Sequence, residues 1–209
     1  VIINHVVNTD DLTMVSAVAG SGKTTLLVAL TKTLEASNPS KGLYLAYNKS
    51  VATEAATKFP EFMACMTTHS LAYSPTIHGK GSKLRLGKFT YRQIHESIDY
   101  ELKCEIVDHI RSFCLSSFLD IDQYASHFEL TPRLLDYLHK YLESMLSGKT
   151  ECTHDFYLKL YHIMLANGNI NYEPFSIIAL DESGDLNPVT LEIFKLLPAS
   201  KKIMVGDPH

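Results

Sequence analysis

Residues 17–25 read AVAGSGKTT, and this stretch decides the fold. It follows a short apolar run, residues 14–18, that is typical of a buried strand, and it opens a helical pattern over residues 24–36. A glycine-rich turn that joins a strand to a helix and ends in Lys-Thr has the sequence of a phosphate-binding loop. The stretch therefore predicts an α/β domain that binds a nucleoside triphosphate.

The residue types in this loop suit the chemistry of phosphates. Gly20 and Gly22 allow backbone N–H groups to wrap around the β-phosphate, and the start of the helix adds its dipole and further N–H groups. The ammonium of Lys23 can span the β- and γ-phosphates, and the hydroxyl of Thr24 can bind Mg²⁺. The candidate nucleotide-binding residues are Ala19, Gly20, Ser21, Gly22, Lys23, Thr24 and Thr25.

A second apolar run, residues 176–180, ends in Asp181 and Glu182. In open α/β sheets, ligands bind at the carboxyl ends of the strands, so both acids stand where a metal-bound nucleotide is expected. We expect Asp181 to hold Mg²⁺ through water, and Glu182 to orient and deprotonate the attacking water. The candidate catalytic residues are therefore Lys23, Asp181 and Glu182, and the candidate metal ligands are Thr24 and Asp181.

Three further apolar runs, residues 42–47, 64–68 and 202–205, have the composition of buried strands. Helical patterns at residues 49–59 and 188–197 separate them. Strands that alternate with helices predict a parallel sheet with crossover helices.

The middle of the chain, residues 73–149, has little strand signal and several helical patterns, of which residues 131–148 are the clearest. We interpret it as a mostly helical insertion. The nucleotide-binding domain is then formed by residues 1–72 and 150–209.

The composition excludes several classes of protein. The chain has 209 residues, of which 45% are hydrophobic and 20% are charged, as in an ordinary globular protein. No apolar run approaches the ~20 residues that a membrane span needs. The four cysteines lack CxxC spacing, which argues against a zinc site and favours reduced thiols in a cytosolic or nuclear protein.

Since the chain lacks an initiator Met and stops after a strand-like run, we expect it to be cut at both ends.

The net charge of −4 contains a local exception, the basic stretch of residues 73–95, which has no acidic residue. Its cations can contact phosphates, and its aromatic residues Tyr73, Phe89 and Tyr91 can stack on bases. The alternative is a solvated loop whose charge balances the acidic residues that follow. The candidate nucleic-acid contacts here are Lys80, Lys83, Arg85 and Lys88.

Six segments resemble, in order, the motifs of superfamily 1 helicases of the UvrD/Rep/PcrA type, and most of all those of the F-box DNA helicase branch and its bacterial relatives. AVAGSGKTT (17–25) resembles motif I, LAYNKSVATEAATKF (45–59) motif Ia, and TTHSLA (67–72) motif Ib. THDFYLKLY (153–161) resembles a segment ahead of motif II, LDESGDLNP (180–188) motif II, and VGDPH (205–209) the start of motif III.

The resemblance implies a RecA-like, 1A-like motor domain with a 1B-like helical insertion. It also implies ATP and Mg²⁺ as cofactors, single-stranded DNA or its junction with duplex as partner, and a second RecA-like domain in the same protein. The expected activity is ATP hydrolysis that drives movement on DNA, in the bacterial cytoplasm or the eukaryotic nucleus and away from membranes. DNA repair or recombination is the expected setting.

The resemblance also assigns roles to individual residues. Asp207 is expected near the γ-phosphate. The expected DNA contacts outside the basic stretch are Asn48, Lys49, Thr67, Thr68, His69, Thr153 and His154. Alternatives remain open, because Thr68 and His69 can cap a loop and Thr153 can cap a helix.

Gly184 departs from the family, in which motif II carries Gln at this position. Glycine has no side-chain group that could form the hydrogen bonds by which this Gln links the γ-phosphate to DNA contacts. One rival hypothesis is therefore a DNA-binding module with impaired hydrolysis. The others are the motor of a helicase–nuclease subunit and an unrelated P-loop kinase or ATPase.

Overall fold

The computed structural model describes residues 12–16, 22–37, 39–181 and 186–206. Within these residues the strands are parallel and form one sheet in the order β1-β5-β4-β2-β3. The parallel sheet with intervening helices confirms the predicted α/β fold. The strands are β1 (Leu12–Ser16), β2 (Gly42–Ala46), β3 (Met63–Thr67), β4 (Ile177–Leu180) and β5 (Lys202–Gly206).

The described helices alternate with the strands at both ends of the chain and follow one another in its middle. The first three are α1 (Lys23–Glu35), α2 (Lys49–Ala56) and α3 (Thr68–Ile77). The next three are α4 (Tyr100–Leu115), α5 (Ile121–His127) and α6 (Pro132–Leu146), and the last two are α7 (His154–Ala166) and α8 (Pro188–Leu196). A short 3₁₀ helix spans Tyr91–Gln93.

The apolar character of the strands follows from their places in the sheet. Every residue of β2 and β4 is buried, because each of these strands has a neighbour on both sides and both of its faces are covered. Strand β1 stands at one end of the strand order, and its residues alternate between exposed and half-buried. The apolar runs thus predicted strands correctly, within about two residues at each end.

Two elements differ from the sequence-based expectation. Thr68 was predicted to end a strand, but it begins α3, which the sequence analysis did not predict. The hydroxyl of Thr67 accepts a hydrogen bond from the backbone N–H of Ser70 at 3.1 Å, so it caps the first turn of this helix. Helix α5 was also not predicted, because its seven residues are too few to display a helical period.

The chain divides into two compact units. The sheet unit comprises residues 1–71, 171–186 and 194–209, and the helical unit comprises residues 72–170 and 187–193. The predicted insertion, residues 73–149, lies wholly within the helical unit. Residues 150–170, which we predicted to belong with the sheet, also group with the helical unit, so the division into functional domains stays a prediction.

Each unit has its own apolar core. In the sheet unit, side chains of α1 and α2 cover one face of the sheet and bury Leu27, Leu30, Ala55 and Ile203 among others. In the helical unit, α4, α6 and the start of α7 enclose a second cluster that includes Leu138, which is fully buried. None of the described helices has the length and apolarity to cross a membrane.

Candidate nucleotide site and nucleic-acid interface

The carboxyl ends of the parallel strands place several predicted site residues along one edge of the sheet. Strand β1 precedes the predicted phosphate-binding loop in the sequence, β4 leads into Asp181, and β5 lies between these two strands. Helix α1 begins at Lys23. Ala19, Gly20, Ser21, Glu182, Gly184 and Asp207 lie outside the described residues.

Gly22 has a left-handed backbone conformation at the start of α1. Its φ of 84° lies in the left-handed region, which costs a residue with a Cβ about 1–2 kcal/mol. No side chain caps the helix at Gly22, so the N–H groups of the first turn are suited to bind an anion. Lys23 is the first residue of the helix and is buried, whereas Thr25 is exposed.

Thr24 and Asp181 line the same cavity of about 400 Å³, although they are far apart in the sequence. The structure therefore brings the two predicted metal ligands to one site. A hydroxyl and a carboxylate are the hard oxygen donors that Mg²⁺ binds, and the cavity begins at the uncapped end of α1. These residues fit a nucleotide with its magnesium ion.

Four polar or aromatic residues in this cavity or bonded to its lining were not predicted from the sequence. Tyr47, Glu54 and Lys58 line it together with Asn48. Lys58 forms an ion pair with Glu54 at 2.5 Å, and this pair lowers the pKa of Glu54. In the sequence, their spacing of four residues on one helical pattern indicates that the two side chains can pair.

Tyr44 is the fourth missed residue. Its hydroxyl donates a hydrogen bond to Oδ2 of Asp181 at 2.5 Å, and both side chains are buried. The backbone N–H of Asp181 also donates to the carbonyl of Leu45 at 3.1 Å. Asp181 is therefore held from β2 through both its side chain and its backbone.

The predicted DNA contacts of the sheet unit differ in what their side chains do. The side chain of Asn48 caps α2 by accepting a hydrogen bond from the N–H of Val51 at 2.9 Å. Lys49 is exposed, and His69 is partly exposed. Thr68 has only 5% of its surface exposed, so its side chain offers little area to a partner.

The four predicted cations of the basic stretch, Lys80, Lys83, Arg85 and Lys88, are all exposed in the helical unit. The backbone of the stretch is held at Arg85, because the N–H of Cys152 donates to the carbonyl of Arg85 at 2.8 Å. The guanidinium of Arg85 donates to the carbonyl of Lys149 at 3.1 Å. The stretch therefore lies along residues 149–152.

The aromatic residues of the basic stretch do not all reach the surface. Phe89 is only 7% exposed, and its ring packs 5.7 Å from that of Tyr141 in the core of the helical unit. The interpretation of Phe89 as a base-stacking residue is therefore wrong. Tyr91 is 38% exposed and contacts the more exposed ring of Tyr100 at 5.3 Å.

Thr153 and His154 lie at the start of α7. The hydroxyl of Thr153 accepts a hydrogen bond from the N–H of Phe156 at 3.3 Å, so the alternative role as a helix cap is present in the structure. His154 is exposed, and its Nδ1 lies 3.4 Å from the hydroxyl of Tyr157.

Two DNA helicases are similar to this chain over its whole length. F-box DNA helicase 1 of Gallus gallus is 26% identical over 239 residues, which cover 100% of this chain and 23% of the relative. F-box DNA helicase protein 1 of Schizosaccharomyces pombe is 26% identical over 243 residues, which cover 100% of this chain and 27% of the relative. The chain thus spans about a quarter of the length of these relatives.

The profile of the AAA domain family matches residues 2–209, nearly the whole chain. This match includes the sequence before α1 as well as strand β4, which leads into Asp181. The chain belongs to the AAA domain family.

Proposed function

We propose that the chain is the first motor domain of an ATP-dependent DNA helicase of superfamily 1, in which ATP hydrolysis drives movement on single-stranded DNA. The observation that carries this proposal is the meeting of Thr24 and Asp181 in one cavity at the start of α1. Similarity to two DNA helicases over the whole chain supports the choice of DNA as the partner. The UvrD-like assignment rests on the sequence motifs.

Within this proposal, the residues of the cavity divide the work of binding. The N–H groups at the start of α1 and the Lys23 ammonium bind the phosphates, and Thr24 and Asp181 hold the magnesium ion. When bound, Mg²⁺ neutralises charge that develops on the transferred phosphate. Glu182 would orient the attacking water and take its proton, and Asp207 would lie near the γ-phosphate.

We further propose two sets of DNA contacts, one in each unit. Lys49 offers an exposed ammonium to the DNA backbone at the edge, and the cations of the basic stretch do so in the helical unit. A second RecA-like domain of the same protein completes the ATP site. Closure and reopening of the two domains then move the DNA strand. The proposed setting is DNA repair or recombination, in the nucleus or the bacterial cytoplasm.

The test is the steady-state ATPase rate of the full-length protein with and without single-stranded DNA. We expect DNA to stimulate the wild-type rate, and we expect Lys23→Ala to lower it at least about 100-fold, because an electrostatic contact to the transferred phosphate is lost. Lys32→Ala removes an exposed ammonium from the same helix and serves as the matched control.

The outcomes separate this proposal from its rivals. Nucleotide and DNA binding without turnover would indicate the hydrolysis-impaired module. Turnover that DNA does not change would indicate an unrelated P-loop kinase or ATPase. A Lys23→Ala protein that retains the wild-type rate would contradict the assignment of the site.

A further inference from the structure

Tyr44 stands in the middle of β2 with its side chain fully buried, and its hydroxyl bonds Oδ2 of Asp181 at 2.5 Å. An apolar side chain of similar size would fill the same space in the core. A buried tyrosine hydroxyl needs a hydrogen-bond partner, since an unsatisfied one costs about 1–3 kcal/mol. The partner here is the carboxylate that lines the nucleotide cavity.

The register of the sheet explains how the ring reaches this carboxylate. Tyr44 lies opposite Ala179 on the neighbouring parallel strand, and Asp181 lies two residues beyond Ala179 toward the carboxyl end. Side chains two residues apart on a strand share a face, so Tyr44 and Asp181 lie on the same face of the sheet. Because Ala179 has a small side chain, the tyrosine ring can extend past it toward Asp181.

The ring of Tyr44 is itself fixed from the other side. The Phe59 ring packs against it with 4.7 Å between the centroids, and both residues belong to the apolar core of the sheet unit. The hydroxyl therefore has little freedom to leave Asp181. A hydrogen bond from such a rigid donor fixes the orientation of the carboxylate that accepts it.

We propose that Tyr44 is a positioning residue that orients the Asp181 carboxylate for the divalent cation bound with the nucleotide. This inference rests on the proposed function, because it requires that Asp181 and Thr24 hold such a cation. Tyr44 does not contact the nucleotide in this proposal, and it acts only through Asp181. It is distinguished from a purely structural core residue by its effect on metal affinity.

The test is a titration of the full-length protein with Mn²⁺ in the presence of a non-hydrolysable ATP analogue, followed by the electron paramagnetic resonance signal of free Mn²⁺. Tyr44→Phe keeps the ring and removes only the hydroxyl. We expect the apparent dissociation constant for Mn²⁺ to rise about tenfold, the lower end of the effect of removing a hydrogen bond from a metal ligand. Asp181→Asn should weaken binding at least as much.

Tyr141→Phe is the matched control. Tyr141 is also buried in a core and its hydroxyl accepts a hydrogen bond from the N–H of His95 at 3.1 Å, but it lies in the helical unit. Thermal unfolding without ligand should show a similar small loss of stability in both variants, whereas only Tyr44→Phe should weaken Mn²⁺ binding.

Two results would overturn the inference, and they can be told apart. If Tyr44→Phe binds Mn²⁺ with wild-type affinity while Asp181→Asn does not, Tyr44 is only a core residue and the proposed function stands. If the wild-type protein binds no Mn²⁺ with the ATP analogue, the proposed function fails and the inference fails with it.

Discussion

At the scale of single residues, two ionisable side chains of α7 are buried in the helical unit. They are Lys159 and His162, each about 2% exposed. The ammonium of Lys159 donates to the carbonyls of Ser116 and Phe118, both at 2.7 Å, and lies 4.8 Å from the Phe113 ring centroid. Burial lowers the pKa of Lys159 to about 8. These bonds join α7 to the segment between α4 and α5.

His162 should make the stability of the fold decrease in acid. Burial, and next the charge of Lys159, lower its pKa to about 4, while the charge of Glu192 acts in the opposite direction. In the unfolded chain the imidazole has a pKa of about 6.5, so the unfolded state binds the proton first as the pH falls. The stability that the neutral imidazole contributes is therefore present above pH ~6.5 and is lost toward pH ~4.

We expect the free energy of unfolding to fall by up to about 2 kcal/mol between pH 7 and pH 5 because of this residue, since each unit of pKa difference is worth about 1.4 kcal/mol. Urea denaturation at a series of pH values measures this dependence. His162→Phe should flatten the dependence, and the same change at the exposed His78 is the control. An equally steep acid loss in His162→Phe would exclude His162 as its source.

At the scale of elements, the starts of the helices in the helical unit follow rules that the sequence displays. Asp99, Thr131 and Thr153 each accept a hydrogen bond from the backbone N–H three residues later, at 2.8, 3.3 and 3.3 Å. Pro132 follows Thr131 at the first position of α6, where a missing N–H has no cost. The helices α6 and α7 were predictable for this local reason.

Thr153 permits a test that separates capping from DNA binding. Thr153→Ala should lower the free energy of unfolding by about 1 kcal/mol through loss of the cap. Thr153→Asp keeps a capping oxygen and adds a negative charge. If Thr153 faces DNA, we expect Thr153→Asp to weaken binding of a single-stranded oligonucleotide about fivefold, as ~1 kcal/mol of repulsion predicts.

Fluorescence anisotropy at low salt measures this affinity. Thr131→Asp is the matched control, because it makes the same substitution at the cap of α6, which has no predicted DNA contact. Equal affinities of the two Asp variants for DNA would leave Thr153 with its capping role alone.

At the scale of the whole molecule, a net charge of −4 coexists with the exposed cations of the basic stretch. Replacement of Lys80, Lys83, Arg85 and Lys88 by Gln should reduce the slope of log affinity against log salt for single-stranded DNA. The expected reduction is as much as about 3, because each lost phosphate contact contributes about 0.7. Titrations between low and moderate salt measure the slope.

The control for this change is a triple Gln variant at Arg111, Arg133 and Lys140, which are exposed cations of the helical unit outside the basic stretch. It lowers the net charge without altering the stretch, and its slope should remain near that of the wild type. A quadruple variant with an unaltered slope would support the alternative of a solvated loop.

The amino-acid sequence by itself determined the α/β class and the approximate bounds of the strands, and it predicted the phosphate-binding loop. These features depend on neighbours along the chain: apolar runs, capping residues and a glycine-rich turn. The strands β2 and β4 could be found in this way because residues buried on both faces leave an unbroken apolar run.

Only the tertiary structure decided which distant residues meet. The strand order puts β5 between β1 and β4, and the cavity at the carboxyl edge brings Thr24 to Asp181. Tyr44 and Phe89 look like ordinary aromatic residues in the sequence, yet the first bonds Asp181 and the second is buried away from any DNA. Their roles depend on strand register and packing between elements, which local periodicity does not encode.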